Sequence, residues 1–146
     1  MIGLKNIYSM ILIINTADEK KVFLGLINKG ELMVKKDFLA QYRQAEKLLI
    51  EINNLLKAKS YQLKTLTAIA VIAGPGPFTA IRIGIITANT FGWALKIPVI
   101  GITLIEFKNE DNLIQVINKK IKQAKTGDVV EPFYGQEPSI RIKDLN

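Results

Sequence analysis

The sequence predicts an α/β fold: a mixed sheet with flanking helices, held in a single domain. Three observations lead there. Met10-Ile11-Leu12-Ile13-Ile14 is a continuous apolar, β-branched run of the kind buried on both faces of a sheet. Apolar strand-like segments alternate with two long helix-like segments further along the chain. Finally, 146 residues at 49% hydrophobic and 23% charged are enough for one ordinary core.

The elements follow in order. After the first strand, the polar turn Thr16-Ala17-Asp18-Glu19-Lys20-Lys21 leads into a second strand, Val22 to Ile27. Asn28-Lys29-Gly30 is a turn signal, and Glu31 to Lys36 reads as a third strand, so the first three form an antiparallel meander. Asp37 fits an N-cap for a helix running to about Lys59, with a seam of Phe38, Tyr42, Ala45, Leu49, Ile52 and Leu56 widened by Leu48 and Leu55. Thr67 to Ala73 is a fourth strand and Phe78 to about Leu95 a second helix. Val99-Ile100 is a last, short strand. Leu113, Val116, Ile117, Ile121 and Ala124 are spaced for a third helix with a lysine-rich back, ended by Gly127. The resulting order is βββαβαβ with a helix and a tail behind it.

Composition excludes several functions. There is no cysteine and no histidine, which removes thiolate chemistry, the usual zinc ligand and every Ser-His triad. No metal or cofactor is expected. The net charge of +7 comes almost wholly from lysine, since only Arg43, Arg82 and Arg141 are arginine. The densest basic run, Lys119, Lys120, Lys122 and Lys125, reads first as a solvated helix face and second as contact with an anionic partner. No apolar run spans a bilayer as one helix: Thr65 to Ile81 is interrupted by Gly74-Pro75-Gly76-Pro77, and Ile83 to Leu95 is too short. Lys5 followed by Ile7 to Ile14 is similar to a signal peptide, but no small-residue cleavage pattern closes it. A cytoplasmic chain without membrane contact is expected.

The loop Gly74-Pro75-Gly76-Pro77-Phe78-Thr79 sits between a buried strand and a helix start, where backbone N–H groups can hold anions. Pro75 and Pro77 supply none, and no Gly-Lys-Ser/Thr follows. A rigid turn is the plainer reading. The helix behind it carries no charge between Arg82 and Lys96 and is apolar all round, so more than one of its sides must be covered. Gly84, Ala88 and Gly92 form a column at i, i+4 and i+8 that lets another helix approach. That helix is either the preceding one of this chain or, as favoured here, one from a partner.

Gly74-Pro75-Gly76-Pro77-Phe78-Thr79-Ala80-Ile81-Arg82-Ile83-Gly84 closely resembles the Gly-Pro-Gly-Ser-Phe-Thr-Gly-x-Arg-x-Gly signature of the TsaB (YeaZ) family. The resemblance continues to Ile97-Pro98-Val99-Ile100-Gly101-Ile102-Thr103 and back through Glu46, Leu48 and Leu49 to the first strand. It implies an RNase H-like fold of the actin-like ATPase superfamily. It also implies a non-catalytic subunit of tRNA threonylcarbamoyladenosine biosynthesis that binds a TsaD-like transferase, with a TsaE-like ATPase as a further partner and tRNA reached only through the complex. The chain alone is expected to be a homodimer. The implied signature-loop residues are Gly74, Pro75, Gly76, Phe78, Thr79 and Arg82. The implied interface draws on the two helices: Tyr42, Ala45 and Leu49 from the first, and Ile81, Gly84, Ile85, Ala88 and Gly92 from the second.

Three positions depart from the family pattern. The first strand ends Asn15-Thr16-Ala17 where Asp-Thr-Ser is usual, and Pro77 and Ala80 replace the signature serine and a glycine. Residues 1–104 match the family's N-terminal domain; residues 105–146, a helix and tail, stand where a second domain is usual, so a shortened form is expected. The tail's Glu131-Pro132-Phe133-Tyr134 resembles the family's C-terminal Pro-x-Tyr segment. A different class of function, a small ATPase or kinase-like enzyme of the same superfamily, is opposed by Asn15 and Ala17. A direct RNA binder would rest on the lysine run.

Overall fold

In a computed structural model, which describes residues 10–135, the chain forms a five-stranded sheet covered on both faces. The strands are β1 (Met10–Asn15), β2 (Lys21–Asn28), β3 (Glu31–Leu39), β4 (Ala68–Gly74) and β5 (Val99–Thr103). The helices are α1 (Gln44–Ala58), α2 (Phe78–Leu95) and α3 (Glu110–Lys120), with a short 3-10 turn, Ile121–Gln123, prolonging α3. In space the strands run β3-β2-β1-β4-β5, the first two pairs antiparallel and the last two parallel. The expected meander is therefore present. β4 skips β3 and β2 to lie against β1, which puts the most apolar strands, β1 and β4, at the centre.

Strict alternation along the strands sorts the core into two layers. Leu12, Ile14, Leu24, Leu26, Ile69 and Val71 meet Leu48, Ile52, Leu55 and Leu56 of α1 and Ile81, Ile85 and Ala88 of α2. On the other face, Ile11, Ile13, Ala70, Ile72 and Ile102 meet Leu113, Ile117 and Ile121. So α3 covers a sheet face that would otherwise lie bare. No helix among the described residues is long and apolar enough to cross a membrane. Lys5 and the residues before Met10, part of the leader-like stretch, lie outside the described residues.

Two expectations about local structure are corrected. Asp37 is not a helix N-cap but a strand residue opposite Phe23, because β3 keeps pairing with β2 as far as Leu39. The helix starts only at Gln44, after Gln41 and Tyr42 turn the chain with φ of 48° and 68°. Phe38 and Tyr42 happen to continue the helical spacing, which hid the turn. The last strand is also longer than Val99-Ile100, running to Thr103 alongside β4.

Candidate partner-binding site

The signature loop owes its glycines to close packing. A Cβ on Gly74, whose φ is +127°, would collide with the Phe133 carbonyl oxygen, and one on Gly76 would sit 2.7 Å from the Ala17 carbonyl oxygen. Those neighbours are the tail and the turn after β1. The tail is fastened by the Phe133 N–H donating to the Ala73 carbonyl at 2.8 Å. Asn89 of α2 grips Val130 twice, donating to its carbonyl at 3.0 Å and accepting from its N–H at 3.1 Å. At the start of α2 the Phe78 ring stacks on Tyr134 at 5.5 Å, and Arg82 lies 3.9 Å over Phe78 while donating to the Tyr134 hydroxyl at 3.1 Å. Phe78 and Arg82 of the signature therefore bind the chain's own tail. Thr79 and Pro77 instead line a cleft of about 320 Å³ shared with Tyr42, Gln44 and Glu19.

At the end of β1, where Asp-Thr-Ser stands in the family, each polar side chain has an internal task. The Asn15 side-chain oxygen accepts the Ala17 N–H at 2.9 Å. Thr16 is fully buried and donates to the Ala80 carbonyl at 2.6 Å. Beside them a cleft of about 330 Å³ is lined by Asn15, Ala17, Asp18, Lys21, Phe23, Asp37 and Leu104. Asp18 accepts the backbone N–H groups of Lys21 and Lys20, which hold its carboxyl below the usual range. Its carboxylate is thus a turn-former. No group of three or more potential metal ligands occurs among the described residues.

The column Gly84, Ala88 and Gly92 is corrected: it faces the chain's own sheet. All three are buried, Cβ atoms on the two glycines would collide with Thr16 and with Val99, and Ala88 belongs to the core. The small residues let a helix approach a strand, not a second helix from outside. Ile81 and Ile85 are buried in the same core, so none of the five predicted α2 positions is open to a partner. Tyr42 and Leu49, by contrast, are 73% and 53% exposed, and Ala45 is exposed beside them.

The residues that sequence reasoning missed lie on the far side of the same helix. Ile86 is 63% and Trp93 84% exposed. At 100° per residue both fall more than a third of a turn away from Ala88, the middle of the Gly84-Ala88-Gly92 column. The signal was in the sequence: a helix apolar all round, with one side given to its sheet, must present another. On α1, Ile50 joins Leu49 as an exposed apolar group. The two helices of one layer thus expose Leu49, Ile50, Ile86 and Trp93 together with Tyr42.

Three antiparallel strands continued by two parallel ones, with helices on both faces, make this an RNase H-like fold of the actin-like ATPase type. The family model described as TsaD, tRNA N6-adenosine threonylcarbamoyltransferase, matches residues 38–124. The chain belongs to that family, within its TsaB (YeaZ) branch. It is 31% identical over 90 residues to the tRNA threonylcarbamoyladenosine biosynthesis protein TsaB of Buchnera aphidicola, covering 62% of this chain and 43% of that one. An uncharacterized protein of Mycobacterium tuberculosis is 32% identical over 100 residues, 67% of this chain and 47% of its own length. The structure of YeaZ from Pseudomonas aeruginosa superposes with a TM-score of 0.60 at 28% identity, over 65% of this chain and 44% of that one. The chain thus spans less than half the length of these relatives.

Proposed function

We propose that this chain is a non-catalytic partner subunit in the modification of tRNA to N6-threonylcarbamoyladenosine, binding and supporting a TsaD-like transferase. The observation that carries the reading is the exposed apolar outer side of the α1–α2 layer, above all Ile86 and Trp93. Large apolar groups left exposed on one helical layer of a small domain mark an interaction surface. Kinship with proteins named for this pathway supports choosing a partner from the same pathway. A TsaE-like ATPase would join the same assembly, and such a role belongs in the cytoplasm. Without its partner, the chain would hide the patch in a two-fold dimer.

The non-catalytic part of the reading draws support from β1. Asn15 and Thr16 spend their polar groups on the fold, and Ala17 offers no hydroxyl. The alternative, a small ATPase, would have to work from the cleft beside them. The deciding experiment is co-purification with the TsaD-like transferase, run for the native chain and for the pair Ile86→Asp and Trp93→Asp. Binding by the native chain that both variants lose supports the reading. A native chain that never binds, or variants that bind as well, overturns it. ATP hydrolysis that follows this chain through purification and disappears on mutating one of its residues favours the enzyme.

A further inference from the structure

The topology gathers unpaired lysines at one end of the molecule. β1, β4 and β5 begin at the end opposite the signature loop, and all three helices finish there. Lys59 follows α1, Lys96 caps α2 in a left-handed conformation, and Lys122 and Lys125 follow α3. Lys64 precedes β4, and Lys29 sits in the β2–β3 turn, which Asn118 of α3 holds by donating to the Gly30 carbonyl at 3.0 Å. All six are exposed. Ion pairs among the described residues use other cations: Lys35, Lys36, Arg43 and Lys120. None of the six ammonium groups has a hydrogen-bond partner among the described residues, whereas Lys47 and Lys120 each reach a backbone carbonyl.

Helix ends account for only part of this. Each C-terminus carries roughly half a negative charge, about 1.5 for three helices, and nearby lysines answer it. Glu31 and Asp128 add two more negative charges near this end. Six lysines still leave a positive surplus, and neither Lys29 nor Lys64 is in the last turn of an α-helix.

We propose that this lysine end is an RNA-backbone contact surface that adds phosphate contacts to a tRNA held by the complex. The choice of RNA rests on the function proposed above; the charge pattern does not. Lysine is a point charge that reads phosphate without base identity, which suits a substrate recognised elsewhere. Trp93, three residues before Lys96, and Val129, four residues after Lys125, are the large exposed apolar groups nearest these lysines in the chain, so an anionic membrane surface is the competing outcome of the test.

The test measures binding of unfractionated tRNA to the full chain across a salt series. It is run for the native chain, the double variant Lys122→Glu/Lys125→Glu and a charge-matched control at the opposite end, Lys20→Glu/Lys108→Glu. Native binding should weaken steeply with salt. The lysine-end variant should lose about tenfold in affinity and about two units of the log–log salt slope, the control much less. Equal losses in both variants, or no tRNA binding by the native chain at low salt, overturn the proposal, as does binding to anionic phospholipid vesicles without binding to tRNA. A chain that co-purifies with the transferase yet ignores tRNA refutes this surface alone. One that binds tRNA but not the transferase refutes the partner reading instead.

Discussion

The two sides of α2 are both apolar, yet they are built by different rules. The inner side, Gly84, Ala88 and Gly92, is small because Thr16 and Val99 press against it. The outer side carries Ile86 and Trp93, large groups left exposed by the described residues. Side-chain size therefore separates the sides where hydrophobicity does not. Small residues mark the contact the chain makes with its own sheet, and the large ones are left exposed on the other side.

The sharpest way to break that comparison is Ala88→Arg. A partner-facing Ala88 would tolerate the change in the isolated chain. At a fully buried position against the sheet, the charge should cost about 4 kcal/mol or more and leave the domain unfolded. Circular dichroism of the variant decides it, and a folded Ala88→Arg protein would return the small column to the interface. Gly84→Ala should cost about 2 kcal/mol by overpacking against Thr16, and combining it with Thr16→Ala should recover part of that loss in a denaturant titration. At the flank of α2, Tyr134→Phe removes the acceptor for Arg82 but keeps the stack on Phe78. A loss below about 1 kcal/mol is expected, with faster proteolysis of the tail as the more sensitive readout. Trp93→Asp should change stability least, within about 0.5 kcal/mol by thermal melting, while weakening the partner complex most.

How far the sequence foretold all this depended on whether a signal was local. The strands were legible because β-branched apolar runs such as Met10 to Ile14 and Ala68 to Ala73 have few other uses. The start of α1 was not, because Phe38 packs toward the α-layer core from a strand at the same spacing a helix would use. In the candidate site, the column of Gly84, Ala88 and Gly92 was visible as a pattern but not as a direction. Spacing defines a face, and only the third dimension says whether that face meets a residue just after β1, 68 positions earlier (Thr16 and Gly84), or another molecule. Tyr42 and Leu49 are exposed, a property that did not depend on where α2 lay. The tail was the least legible: Asn89, Arg82 and Phe78 recognise Val130 and Tyr134 across 41 to 56 residues with no periodic signal.

That tail also decides how the sheet can misbehave. An outer strand with unsatisfied backbone groups is a template for cross-molecular pairing, and five strands leave two such edges. Along β5, Val130 packs over Gly101, and Lys120 donates to the Gly101 carbonyl at 3.1 Å. The β5 edge is thereby obstructed. Among the described residues β3 is the uncovered edge, and its Lys35 and Lys36 are drawn into ion pairs with Glu110 and Glu51 of the helices on either face. A chain that lost its grip on Val130 would leave Lys120 alone at the outer carbonyl of Gly101, the kind of bared strand that invites pairing between molecules.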